Sequence, residues 1–218
     1  MSLLAGLDRF KSSYESGVRQ VAVQAMGGLA RTRVTPNHLT AAGVTLCAVS
    51  AVIAYFQYRN EILFFWTGAG IFVLGSILDI LDGALARAGG KTTPFGAFLD
   101  STTDRMSEGF MLGAIALIEA RNGNTVSLAF VFAAVAGSFL VSYTRAKAEI
   151  LGLRGNMGIG SRAERVALIA VGLVLAPWGA LSIAIYVLAA TAWITVLQRI
   201  FAVRSQLRER AAQQPSGK

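Results

Sequence analysis

Long apolar runs alternate with short charged ones along this chain, and the runs are too long for the core of a soluble domain. Residues 39–57, 62–78 and 125–144 contain no Asp, Glu, Lys or Arg, and each approaches the roughly 20 residues that span a bilayer core. Residues 166–198 are also uncharged. As one helix they would run about 50 Å at about 1.5 Å per residue, well beyond a membrane, so Ala176-Pro177-Trp178-Gly179 is expected to break them. The second half then spans alone. The first half, 166–176, is long enough only if it begins near 160 and takes Arg162, Glu164 and Arg165 into its first turns. The run 105–118 likewise needs a start near Phe95, which draws Asp100, Asp104 and Glu108 into the helix. The pattern predicts six spans, at roughly 38–57, 62–86, 95–118, 125–148, 160–176 and 179–203.

The first residues carry a different period. Leu3, Leu7, Phe10, Tyr14, Val18, Val21 and Ala25 recur at spacings of three and four, with Arg9, Lys11, Ser12, Glu15 and Arg19 between them. That is the pattern of an amphipathic helix lying on a membrane surface, stopped by Thr35-Pro36-Asn37. With no uninterrupted apolar core, this segment is not a cleavable signal peptide followed by a soluble domain. The expected organisation is an all-α integral membrane protein. It has an interfacial amphipathic helix and cap over 1–37, a six-helix transmembrane domain over 38–203, and a cytoplasmic tail over 204–218 that is disordered beyond Arg210.

Composition supports this. Of 218 residues 54% are hydrophobic and 15% charged, with a mean hydropathy of +0.56. The net charge of +8 would suggest nucleic acid on a soluble protein. Six spans place all but Arg59 and Arg121 of the 20 basic residues on one side, which the positive-inside rule makes the cytoplasm, with both termini inside. The charge is therefore topology and attraction to anionic membrane lipids, and nucleic acid is not an expected partner. A single cysteine, Cys47, excludes an internal disulfide framework or thiolate metal cage and reads as a small packing residue. His38 reads as interfacial, and Trp66, Trp178 and Trp193 as anchors or packing residues.

Four of the five aspartates lie within 26 residues. Spacings of three and four put Asp79 with Asp82, and Asp100 with Asp104, on single faces of two consecutive helices. The connection 87–95 is short, so the two helices are antiparallel neighbours and four carboxylates are expected to face one another at the cytoplasmic end. Four uncompensated anions at membrane depth would be prohibitive, so protons, arginines or cations must neutralise them. An all-oxygen donor set without His or Cys suits Mg²⁺ or Mn²⁺ rather than Zn²⁺. Small residues at 83, 86, 96 and 97 let a backbone or flat ligand approach.

The motif D-x2-D-G-x2-A-R-x8-G-x3-D-x3-D, filled by Asp79, Asp82, Gly83, Ala86, Arg87, Gly96, Asp100 and Asp104, resembles the signature of the CDP-alcohol phosphotransferases. The resemblance implies a six-helix membrane homodimer that transfers a phosphatidyl-type group from a CDP-linked lipid to an alcohol and releases CMP. It implies two divalent cations on Asp79, Asp82 and Asp100, with Asp104 the general base and a candidate contact for the second metal. It also implies CDP-lipid binding by Thr35, Pro36 and Asn37 together with Gly83, Ala86, Arg87 and Gly96.

Basic residues end span four, open span five and end span six, which suits an anionic acceptor, although each could be an ordinary snorkelling side chain. The stretches SYTRAKAE and GLRGNMGIGSRAER and the later LQR look like the actinobacterial phosphatidylinositol phosphate synthases. That likeness implies CDP-diacylglycerol as donor, inositol phosphate as acceptor, and Arg145, Lys147, Arg165 and Arg199 as ligands of the acceptor phosphate, at the plasma membrane with a cytoplasmic active site. In that branch the first basic pair runs Lys then Arg, whereas here it is Arg145 then Lys147. Archaeal synthases making archaetidylinositol phosphate share much of the pattern, and glycerol 3-phosphate is the competing acceptor. An intramembrane prenyltransferase would need more helices and another aspartate spacing. A transporter would show an internal repeat or midplane charges, and neither is present.

Overall fold

The computed structural model describes residues 35–88 and 92–213, so the amphipathic helix expected over the first residues lies outside the described part. Among the described residues all regular structure is helical. The helices are α1 (Pro36–Tyr55, continued by a 3₁₀ turn at Phe56–Arg59), α2 (Glu61–Ala88), α3 (Pro94–Arg121), α4 (Thr125–Ile150), α5 (Arg162–Val174) and α6 (Leu181–Gln213), with a 3₁₀ turn at Ala176–Trp178 before α6.

Helix starts follow local chemistry. Pro36 and Pro94 open α1 and α3, where a missing N–H costs nothing, and Thr93 Oγ1 caps α3 by accepting from Gly96 N at 3.0 Å. Asn60 Oδ1 accepts from Leu63 N at 3.0 Å and Asn124 Oδ1 from Ser127 N at 3.1 Å, capping α2 and α4. Ser161 and Glu164 form a capping box at α5, which gives Glu164 a structural task. The expected break at 176–179 is present, closed by Gly179 at φ 78°.

Four stretches are long and apolar enough to cross a membrane: Pro36–Arg59, Glu61–Arg87, Thr125–Ile150 and Leu181–Ala212. Only 33–39% of each apolar window is buried inside the chain, so most of that surface needs an apolar environment from outside. α3 fails the same test because of its charges. At 13 residues α5 is shorter than the expected 160–176 and reaches only about 20 Å. α6 departs the other way, running to Gln213 where the span was expected to end at 203 and order at Arg210. Tertiary contacts extend it. Gln206 exchanges hydrogen bonds with the Arg154 backbone at 2.9 and 3.1 Å, and Arg210 donates to the Leu151 carbonyl at 3.0 Å and to that of Gly152.

The described residues fall into two compact units. The first holds residues 35–46 and 74–104, that is, the start of α1, the second half of α2 and the first part of α3. In it α1 and α2 touch at Gly43, where a Cβ would lie 2.9 Å from the Gly75 carbonyl oxygen and 3.6 Å from Asp79 Cβ. The second unit holds residues 47–73 and 105–213. Its core is assembled at three- and four-residue spacing from Cys47, Ala51 and Ala54 of α1 and Phe65, Ala69 and Phe72 of α2. Met111, Leu112, Ile115 and Ile118 of α3 complete it with apolar residues of α4, α5 and α6. The small residues of α1 let backbones approach closely, the usual way of packing helices where lipid supplies no hydrophobic drive. α4 and α5 both pack on α6.

Candidate active site

Asp79 and Asp82 sit one turn apart on α2 and are buried, at 4% and 2% exposure, and Asp100 of α3 is half-buried. The three offer carboxylate oxygens that all lie within 4.8 Å of one another. Oxygens sharing one hard cation at 2.0–2.6 Å are separated by at most roughly 4–5 Å, so the trio fits a single divalent ion in both spacing and donor type. Asp104, one turn further along α3, stands outside this group. Asp82 is also held by the hydroxyl of Thr40, which donates to Oδ2 from α1.

A cavity of about 290 Å³ opens beside these carboxylates. Thr35, Pro36, Asn37, Gly83, Ala86, Arg87 and Gly96 all line it, with Asp82 and Asp100. Every residue expected to hold the CDP-lipid therefore shares one cavity with two of the three clustered aspartates. Two helix starts of the same form, Thr35-Pro36 and Thr93-Pro94, border it, and Arg87 adds the cation of its lining. N–H groups of first helical turns and a guanidinium are the means by which proteins hold phosphates.

The four basic residues expected at an acceptor lie in the second unit and divide into two kinds. Arg145 and Lys147 are exposed on α4, and Arg145 Nε pairs with Glu149 Oε1 at 2.8 Å. Arg165 and Arg199 are buried, at 4% and 7% exposure. Arg165 grips Glu108 through Nε to Oε1 at 2.8 Å and Nη2 to Oε2 at 3.0 Å, and donates from Nη1 to the Gly160 carbonyl at 3.0 Å. That takes up three of its five N–H donors. Arg199 donates from Nε to the Met157 carbonyl at 2.8 Å and from Nη1 to that of Val141. Arg145 and Arg165 are both close enough to Arg199 for their charges to act on it. The connection between α4 and α5 reaches these arginines through close glycine approaches: Gly158 adopts φ 120°, and Gly160 N donates to Thr195 Oγ1 at 2.9 Å.

The family model of the CDP-alcohol phosphatidyltransferases matches residues 33–204. The chain belongs to this family. It is 40% identical over 182 residues, 82% of this chain and 88% of the relative, to archaetidylinositol phosphate synthase of Pyrococcus horikoshii. It is 34% identical over 203 residues, 89% of this chain and 87% of the relative, to phosphatidylinositol phosphate synthase of Mycolicibacterium smegmatis. Among solved structures, phosphatidylinositol phosphate synthase of Mycobacterium tuberculosis with CDP-DAG bound superposes with a TM-score of 0.75 at 29% identity, covering 84% of this chain and 94% of that one. The same enzyme in complex with manganese and citrate gives a TM-score of 0.74 at 30% identity, covering 84% and 88%.

This member of the family is a transferase and a membrane protein, and its aspartate trio is suited to a divalent metal. Four site features escaped the sequence reading. Thr40 was one more polar residue in an apolar run, and only the α1–α2 contact brings its hydroxyl to Asp82. Gly43 was one of 23 glycines. Thr92 and Thr93 line the cavity, and the repeated Thr-Pro helix start was the available signal for Thr93. Glu108 was legible only as a charge inside a span, with nothing local to assign it to Arg165.

Proposed function

We propose that the chain transfers the phosphatidyl group of CDP-diacylglycerol to inositol 1-phosphate, giving phosphatidylinositol phosphate and CMP. The observation that carries this reading is the shared cavity of the Thr35-Pro36-Asn37 turn, the Asp82-Gly83-x2-Ala86-Arg87 stretch, Gly96 and Asp100, since such a lining can hold a pyrophosphate beside clustered carboxylates. Relatives from both an archaeon and actinobacteria are named inositol phosphate lipid synthases, and the structural relatives include complexes with CDP-DAG and with manganese, which supports the donor, the acceptor and the cofactor.

In this reading Asp79, Asp82 and Asp100 hold divalent cations, two Mg²⁺ or Mn²⁺ ions, with Asp104 a further contact for the second. When bound, the metal neutralises charge on the pyrophosphate oxygens and helps CMP to leave. Thr40 fixes the Asp82 carboxylate in its ligating orientation. Arg87 and the first turns of α1 and α3 hold the CDP phosphates, and Gly83, Ala86 and Gly96 leave room for the nucleotide. Asp104 accepts the proton of the acceptor hydroxyl as that oxygen bonds to the lipid-side phosphorus and the bond to CMP breaks. Arg145, Lys147, Arg165 and Arg199 face the acceptor phosphate. For Arg165 the bidentate grip of Glu108 presets the guanidinium, leaving the uncommitted donors for the ligand.

The same reading takes α1 to α6 as six spans of one catalytic domain over 38–203, with the first 37 residues lying on the membrane surface. Both termini and the site face the cytoplasm at the plasma membrane, and the chain works as a homodimer. The test is incubation of the purified chain with radiolabelled CDP-diacylglycerol and Mg²⁺ in the presence of inositol 1-phosphate, glycerol 3-phosphate or unphosphorylated inositol. Label should pass to inositol 1-phosphate at least about tenfold more efficiently than to either rival. Equal use of glycerol 3-phosphate would defeat the acceptor assignment, and a preference for a CDP-archaeol donor would reassign the lipid.

A further inference from the structure

A second cavity, of about 260 Å³, shares no residue with the one beside the aspartates. It lies where α2 and α6 begin and α3 ends, entirely within the second unit, on an apolar floor of Phe65, Ile118 and Leu181. Its polar lining is Gln57, Glu61, Glu119, Asn122, Asn124 and Ser182, two carboxylates with amide and hydroxyl groups and no basic residue.

Two of these residues are deeply buried and sparsely engaged by the protein. Glu119 is buried to 4% exposure, and its carboxylate receives one hydrogen bond, from Ser182 Oγ at 3.2 Å. The neighbouring guanidinium is engaged elsewhere: Arg121 donates to the Tyr55 carbonyl at 2.9 Å and stacks over the rings of Tyr55 and Tyr58. Gln57 is buried to 5% exposure, lines the cavity, and makes no side-chain hydrogen bond to any described residue. A carboxylate so deeply set without a cation costs free energy, and the amide that no described residue engages borders the same space. A cation there would pair with Glu119 and take the amide oxygen of Gln57 as a ligand.

We infer that this cavity is a second cation site, which takes a hard divalent ion of the calcium type on the Glu119 carboxylate and the Gln57 amide oxygen, with Glu61, the Asn122 and Asn124 amides and the Ser182 hydroxyl completing an all-oxygen shell directly or through water. Oxygen donors of mixed charge in an irregular, roomy shell suit Ca²⁺ better than the tighter octahedron of Mg²⁺. The donors come from the turn after α1, from α2, α3 and α6, and from the cap of α4, so an ion there ties together the ends of five helices. The inference concerns a different set of residues from the proposed reaction and stands apart from it.

The test is equilibrium binding of radioactive Ca²⁺ to the full chain in nanodiscs of zwitterionic lipid, with the unfolding temperature followed in parallel. Glu119→Gln keeps the size and removes the charge. It should weaken one class of Ca²⁺ sites at least tenfold and abolish the rise in unfolding temperature that Ca²⁺ produces, while Asp79→Asn/Asp82→Asn retains both. Gln57→Leu leaves every charge in place and should weaken the same class severalfold, and it decides the matter if Glu119→Gln does not fold. The inference is overturned if Ca²⁺ binding is the same in Gln57→Leu and Glu119→Gln as in the unaltered chain. It is equally overturned if all Ca²⁺ binding disappears in Asp79→Asn/Asp82→Asn, or if the unaltered chain binds none.

Discussion

Asp79, Asp82 and Asp100 bring three carboxylates within 4.8 Å of one another beside an open cavity, whereas Arg165 and Arg199, buried like Asp79 and Asp82, spend their guanidinium groups on Glu108 and on backbone carbonyls. Both regions gather charged residues in an apolar chain. In the first, like charges crowd beside an open cavity, an arrangement suited to a bound cation. In the second, the charge is compensated within the fold, so the arginines organise a connection even before any anion arrives. Burial of a charge is therefore a poor guide to function by itself. What separates the two regions is what the charges converge on: one another beside a cavity at the trio, and a carboxylate and backbone carbonyls around the arginines.

The largest effect that could break this comparison is expected at the trio. Asp82→Asn preserves shape but removes a ligating charge, and turnover should fall by about 1000-fold or more with the helical content unchanged by circular dichroism. Near-normal turnover at low Mg²⁺ would mean that the crowded carboxylates are a structural network. At Asp104, outside the trio, Asn should lower turnover by about 100- to 10,000-fold while leaving CDP-lipid binding, measured by calorimetry, within a few-fold. Lost binding with preserved turnover of the bound complex would make Asp104 a ligand and not the base.

In the second region the expected signature is stability. Glu108→Gln or Arg165→Ala leaves a buried charge without its partner, and chemical unfolding in detergent should show a loss of about 3–5 kcal/mol. A stability change below about 1 kcal/mol with a large rise in the acceptor KM would show that Arg165 is mainly a ligand. Gly43→Ala sharpens the first region, because the added methyl would press on the Gly75 carbonyl beside Asp79. Overpacking of this kind costs about 1–3 kcal/mol, and activity should drop with it. Arg145→Ala should barely move stability, since exposed i,i+4 pairs contribute about 0.3–0.5 kcal/mol. If Arg145 meets the acceptor phosphate, the same variant should raise the acceptor KM about 10-fold or more. An unchanged KM would reduce it to a topology signal.

Uncharged runs, the Ala176-Pro177-Trp178-Gly179 break and the Thr35-Pro36-Asn37 stop sufficed to locate six helices, because span length and helix breaks are local properties of the chain. The spacing of the aspartate motif put each aspartate pair on one helix face, and the family resemblance that the motif carries implied the residues that line the first cavity. Local rules stopped at everything that depends on where two helices meet. They could not say that Asp104 falls outside the cluster, that Thr40 reaches Asp82, or that α6 gains ten residues beyond its span through Gln206 and Arg210. Nor could they separate Arg165, committed to Glu108 57 residues away, from Arg145, paired within its own helix. Periodicity specifies a face, but the depth, rotation and crossing of helices emerge from close contacts such as Gly43 against Gly75, and those contacts decided which charged side chains came together.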